Sequence, residues 1–159
     1  FRASPTAGVT SSAVGTFFWD AADHTVSLVL ENGSELQLGR EAVQWCKNST
    51  GTAIPNGSLV YISGATGDNP TISLASATVG AATGDAIGMA TQTIPGNGEG
   101  MVATNISFVR GLDTSVTPPG TRLWLSTTPG AWSSAPPARP NYRVQAGAST
   151  PSKGSCCWG

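Results

Sequence analysis

Charge is what this 159-residue chain has least of. Asp, Glu, Lys and Arg make up 11 % of it, against about 25 % in an ordinary soluble chain. So little charge leaves a bare surface poorly protected against association, and much of the surface is therefore expected to be covered by partner subunits. The cations are scattered singly and the formal net charge is −1. No basic stripe is present to neutralise a phosphate backbone, which disfavours nucleic-acid binding. Long apolar runs are also missing. The longest, such as VSLVL at 26–30, fall far short of the roughly 20 residues of a membrane span, so no transmembrane segment is expected. The chain opens on Phe1, without a basic and then apolar leader. It is expected to be a processed product or a piece of a longer polypeptide.

The residues of catalysis and metal binding are equally sparse. His24 is the single histidine, so any His-based triad or cluster must use it; beside the Asn32-Gly33 region it reads as a surface turn residue. Pairing it with Cys46 supplies the minimal parts of a thiol nucleophile and base, but no local signature supports the pair. The nine carboxylates (Asp20, Asp23, Glu31, Glu35, Glu41, Asp68, Asp85, Glu99 and Asp113) fall mostly in turns, where solvation accounts for them. A hydrolase built on two of them is the weakest of the readings considered. GNGEG at 96–100 lies between strands, with no Lys and no following helix, and reads as a hairpin turn instead of a phosphate loop. Neither a C-x-x-C pair nor a calcium-loop spacing occurs. No catalytic residue, metal or cofactor is expected.

What the chain does have is turn chemistry. Gly (20) and Pro (11) punctuate short β-branched and aromatic runs. TFFWD, TVSLVL and ELQL are followed by REAVQWCK (a strand or a short linking helix), GSLVYISG, TISLA, AIGMATQT, EGMVATN, ISFVRG, TRLWLST, GAWSS and NYRVQAG. The Asn32-Gly33 pair between alternating runs is a strong hairpin signal. SATVGAATGDA admits at most one short helix, because a Gly inside a helix costs about 1 kcal/mol. This pattern predicts an all-β fold: a small β-barrel or sandwich preceded by a β-meander, with extended arms at both ends. The expected divisions are an N-terminal arm at 1–15, a meander at 16–44, a barrel or sandwich at 45–147 and a flexible, Cys-containing tail at 148–159.

One phrase occurs twice. IPNGSLVYISGATG at 54–67 and TPPGTRLWLSTTPG at 117–130 share a Pro/Gly turn, a strand with an aromatic (Tyr61 or Trp124) and a closing Gly. Two related hairpins within one barrel would explain it. So would chance recurrence, since strands and turns draw on the same few residues.

Cysteine and tryptophan carry the interaction reading. Cys46 lies in a probable strand, and the adjacent Cys156 and Cys157 cannot easily bond each other, so disulfides between subunits compete with free thiols as their role. The sequons at Asn32, Asn48, Asn56 and Asn105 are expected by chance in so Asn-, Ser- and Thr-rich a chain. Of Trp19, Trp45, Trp124, Trp132 and Trp158, most are expected as core or interface anchors. Interface or disulfide candidates are Trp45, Cys46, Trp132, Cys156, Cys157 and Trp158.

From TFFWDAADHTVSLVLENGSELQLG through KNSTGTAIPNGSLVYISGATGDNPTISLA and AIGMATQTIPGNGEGMVATNISFVRGLDTS to PGTRLWLSTTPGAWSSAPPARPN, the chain resembles a β-rich domain of tailed-bacteriophage structural proteins. The likeness covers roughly 16–147. It implies a non-enzymatic subunit on the virion exterior, in a tail fibre or appendage or as a capsid decoration (cement) protein, commonly trimeric and bound to other virion proteins. The tail ASTPSKGSCCWG departs from it, where a further strand would be expected. The rival reading is a carbohydrate-binding module that meets host surface glycans through exposed aromatics near Trp132 and Tyr142.

Overall fold

The computed structural model describes residues 13–21, 23–31, 33, 35–80, 85–105, 107–114 and 117–149, and the backbone of 156–158. The described elements are all strands. Two compact units divide the chain, residues 1–42 and residues 43–159. Most of the N-terminal arm lies outside the described residues, as do 81–84, the centre of the segment where a short helix was allowed.

In the first unit β1 (Phe17–Asp20), β2 (Thr25–Val29) and β3 (Glu35–Gln37) form an antiparallel meander. Leu28 stands opposite both Phe17 and Leu36, and Ser27 opposite both Phe18 and Gln37. His24 sits exposed in the first turn with φ 52°, and the Asp20 carboxylate accepts from the Asp23 N–H there at 3.1 Å. The second turn is longer than a two-residue Asn-Gly hairpin. Val29 pairs with Glu35, so five residues connect the strands. The Gly33 N–H donates to Leu30 O at 2.9 Å and Gly33 itself takes φ 78°. Loops of that length are commonly built around such a tight turn, with the glycine in the left-handed region.

The second unit is a closed barrel packed on a sheet. β4 (Val43–Asn48), β6 (Asn69–Leu74), β5 (Leu59–Thr66), β7 (Gly88–Ala90) and β8 (Glu99–Ala103) close the barrel in that order; only β4 and β6 run parallel. β9 (Ser107–Val109), β10 (Arg122–Leu125), β11 (Trp132–Ser133), β12 (Gln145–Ser149) and β13 (Cys156–Trp158) make an antiparallel sheet, ordered β11-β10-β12-β13-β9. The all-β class is borne out, with a closed barrel and additional sheets, and REAVQWCK supplies a strand.

Strand alternation divides the barrel's side chains between two cores. Inside lie Cys46, Val60, Ile72, Ala90 and Val102, with Ile54 and Ile94 from the loops. Facing the sheet are Leu59, Met89 and Ala103, which follow one another across three strands and pack with Val109, Leu123, Leu125 and Ala146. The barrel wall is tight where β7 meets β8. A Cβ on Gly88 would lie 2.2 Å from Ala103 O and 2.7 Å from Val102 Cγ1, so glycine is what allows the two backbones to approach.

The repeated phrase resolves against the first of its two expectations. Its first copy builds β5 of the barrel and its second builds β10 of the sheet, so the two do not form hairpins of one barrel. They share a turn, closed by Ser58 N–H to Pro55 O at 3.2 Å and by Thr121 N–H to Pro118 O at 3.1 Å. A closer structural pair is Ile54-Pro55-Asn56-Gly57 with Ile94-Pro95-Gly96-Asn97. Ile54 and Ile94 exchange reciprocal backbone hydrogen bonds of 2.8 Å. Gly57 N–H donates to Ala90 O at 2.8 Å and Asn97 N–H to Thr50 O at 2.9 Å. Gly57 and Asn97 both have positive φ, 79° and 57°, as residues two positions after such a turn's first do.

Asn48 ties these two loops together from within. Fully buried, its Nδ2 donates to Thr52 O (2.8 Å) and Pro95 O (3.0 Å) and lies 3.3 Å from Ile94 O. Its Oδ1 accepts from the Thr50 N–H (2.9 Å) and hydroxyl (2.7 Å). One buried amide thereby bonds to groups of both loops and has its own donors and acceptor satisfied.

The C-terminus corrects an expectation. The segment read as a flexible tail contains β13, paired with β12 through Ser149↔Cys156, Ala148↔Cys157 and Gly147↔Trp158, and with β9 through Cys156↔Val109 and Trp158↔Ser107. CCW reads as a tail because Gly and Ser precede it and no alternation is visible in three residues. Pairing on both sides overrides that weak local signal.

Candidate interaction surfaces

The meander exposes an apolar face. Residues opposite each other in an antiparallel pair project to the same side, so Phe17, Leu28 and Leu36 share a face, and Trp19 and Val26 continue it. Leu38 joins Val26 through a 2.9 Å backbone bond, Leu38 N–H to Val26 O. All six are large and apolar, and none is buried; Phe17 is 47 % exposed and Leu38 40 %. Val14, just ahead of β1, is 60 % exposed.

The opposite face reverses the usual order. Thr25, Ser27 and Gln37 are buried there beside Val29. The Thr25 hydroxyl donates to Leu38 O at 2.7 Å. The Gln37 amide donates to the Asp23 carboxylate, whose other oxygen pairs with Arg40 at 2.7 Å. Ser27 Oγ and Gln37 Oε1, on register-paired residues, have no hydrogen-bond partner among the described residues, a cost of about 1–3 kcal/mol for each such buried group. In this three-stranded unit three polar side chains are buried, while the apolar side is half-buried at Trp19, Val26, Leu28 and Leu36 and exposed at Phe17 and Leu38.

The sequence-predicted residues do not converge on one site. Cys46 and Trp45 are neighbours on β4 with opposite environments. Cys46 lines the barrel interior at 0 % exposure, where burial pushes its thiol up to about 11. It is therefore not an interface or disulfide residue in this fold, because the barrel wall separates its sulfur from any partner chain. Trp45 is half-buried on the outer side, where its indole N–H donates to Glu99 Oε2 at 3.0 Å; the other Glu99 oxygen accepts from Asn69 Nδ2 at 3.1 Å. Trp132, on the edge strand β11, is partly buried against the core. Cys156, Cys157 and Trp158 form β13, inside the sheet. Among the described residues no group of three or more His, Cys, Asp and Glu is placed to hold a metal ion, and no helix is long and apolar enough to cross a membrane.

The apolar meander face went unrecognised in the sequence, although its signal was there. Phe17/Trp19, Val26/Leu28 and Leu36/Leu38 each place large apolar residues two apart, which is one side of a strand. Recognising a single face required the register.

No protein-family model, no curated protein and no solved structure matches the chain.

Proposed function

We propose that the chain is a non-enzymatic structural subunit of the exterior of a tailed-phage virion, in a fibre or appendage or as a capsid decoration protein, and that it acts by symmetric association with copies of itself, a trimer being favoured. The observation that carries the assembly part is the apolar face formed by Phe17, Trp19, Val26, Leu28, Leu36 and Leu38, exposed at Phe17 and Leu38 and half-buried at the other four. A few strands without a covered hydrophobic face are marginal in water. Association that buries this face would stabilise the meander as it builds the particle. The low charge of the chain points the same way. The virion assignment rests on the resemblance of the strand and turn phrases to phage structural domains.

Light scattering on the full chain tests assembly. The expected mass is three times the 16.1 kDa chain, reverting to one chain in the Phe17→Asp/Leu38→Asp double variant. A wild-type monomer throughout the micromolar range would defeat the assembly reading. Any oligomer that dissociates only with reductant would have to be linked through Cys156 or Cys157, since Cys46 is enclosed. Failure to detect the chain by mass spectrometry in purified particles of the phage encoding it would defeat the virion assignment.

A further inference from the structure

Charge is unevenly distributed along the chain. All nine carboxylate side chains lie within residues 1–113, together with four cations, whereas residues 114–159 contain Arg122, Arg139, Arg143 and Lys153 and no Asp or Glu. Two of these cations, Arg139 and Arg143, line a surface groove of about 480 Å³ with Pro140, Asn141 and Tyr142.

The groove lies on the loop between β11 and β12, and the loop's backbone is held at several points. A turn with a cis Arg139–Pro140 bond is closed by Asn141 N–H to Ala138 O at 3.1 Å. Asn141 Nδ2 donates to the same carbonyl at 3.1 Å, and Asn141 Oδ1 accepts from the Val79 N–H at 3.4 Å. The Tyr142 N–H donates to Ala77 O at 2.8 Å, and Arg143 Nε donates to Pro137 O at 3.3 Å. These bonds fix the frame and leave the Arg139, Tyr142 and Arg143 side chains exposed, Tyr142 at 44 %. Neither arginine has an ion-pair partner among the described residues, where Arg40–Asp23 is the pair formed.

Two exposed guanidinium groups with no carboxylate partner among the described residues are free to receive an anion, Arg143 through its Nη groups because its Nε donates to Pro137 O. The loop N–H groups of Asn141 and Tyr142 are already engaged, so the backbone-amide nest common at phosphate sites is not on offer. An exposed phenol ring beside a proline ring gives an apolar platform suited to the C–H face of a pyranose. We infer that the groove bounded by Arg139, Pro140, Tyr142 and Arg143 binds an acidic saccharide, a sugar ring whose carboxylate is held by the two arginines while its face rests on Tyr142. This inference is independent of the oligomeric state.

The test is titration calorimetry of the full wild-type chain with a galacturonate oligosaccharide, a neutral galactose oligosaccharide and inorganic phosphate. Expected is saturable binding of the uronate oligomer that weakens as salt rises, with the neutral oligomer at least about tenfold weaker, since one charged hydrogen bond is worth roughly a tenfold change. Arg139→Gln and Arg143→Gln should each weaken binding about tenfold, and Tyr142→Ala should weaken both oligomers. All three positions are exposed, so thermal melts matching wild type will show that the fold is kept. The inference is overturned by no uronate binding at millimolar concentration, by equal binding of the neutral oligomer, by phosphate binding as tight as the uronate, or by uronate binding unchanged in the Arg139→Gln/Arg143→Gln double variant.

Discussion

Replacing Asn48 by Ala should be among the most damaging single changes available in the barrel, although it removes only a small polar side chain. The amide donates two well-formed hydrogen bonds to Thr52 O and Pro95 O and accepts two from Thr50. At about 1 kcal/mol net for each bond, rising to 1–3 kcal/mol for any group left buried and unpaired, the loss is about 4 kcal/mol. Thr52 O also accepts from Thr50 Oγ at 2.9 Å and Pro95 O from the Gly98 N–H at 3.0 Å, so neither carbonyl is left unpaired, and about 3 kcal/mol is the lower expectation. Urea denaturation followed by tryptophan fluorescence measures this directly. Asn48→Asp separates hydrogen bonding from packing, because it keeps the shape and the acceptor but presents a carboxylate to three carbonyl oxygens. Burial among acceptors raises that carboxyl's folded pKa above its unfolded value. The Asp variant should therefore be least stable at neutral pH and recover as pH falls towards 4, where the protonated acid donates again. Amide exchange should quicken at Ile54, Ile94 and Asn97 in both variants, since those N–H groups close the loops that Asn48 holds. An Asn48→Ala loss below about 1 kcal/mol, or an Asp variant no worse than Ala at pH 7, would refute this account of the network.

Three further outcomes follow from single groups. The Cys46 thiol, raised by burial from 9.0 to about 11, should resist thiol reagents in the native protein at pH 8 and react in denaturant; peptide mapping after labelling reads this. Because the unfolded thiol ionises first, the stability that Cys46 contributes is intact below pH 9 and is lost as pH rises towards 11, by roughly 2–3 kcal/mol, and Cys46→Ala should flatten that part of the pH–stability curve. Gly88→Ala forces a methyl against Ala103 O and Val102 and should cost about 1–3 kcal/mol as overpacking; an unchanged melting temperature would show that β7 and β8 can separate freely. Ser27→Ala removes a fully buried hydroxyl without a partner and should stabilise the meander by about 1 kcal/mol, whereas a loss of stability in urea titration would place an unseen partner on that oxygen.

The sequence by itself determined the strands and their punctuation. Pro and Gly fix turn dihedrals one or two residues at a time, so turns such as 55–58, 118–121 and 128–131 could be located before any fold was known. Alternating β-branched and aromatic runs likewise identified most strands, and with them the all-β class. The tertiary structure decided everything that depends on which side of a strand faces what. Trp45 and Cys46 carry no local sign of which will line the barrel, and closure through the pairing of β4 with β8 and β6 sends the cysteine in and the indole out. CCW becomes a strand only because β9 and β12 leave its width between them. The six apolar residues of the meander become one surface only when the register aligns three separate pairs. The difference is physical: turn preferences act over a few covalent bonds and are written residue by residue, whereas burial and strand pairing are set by partners distant in sequence.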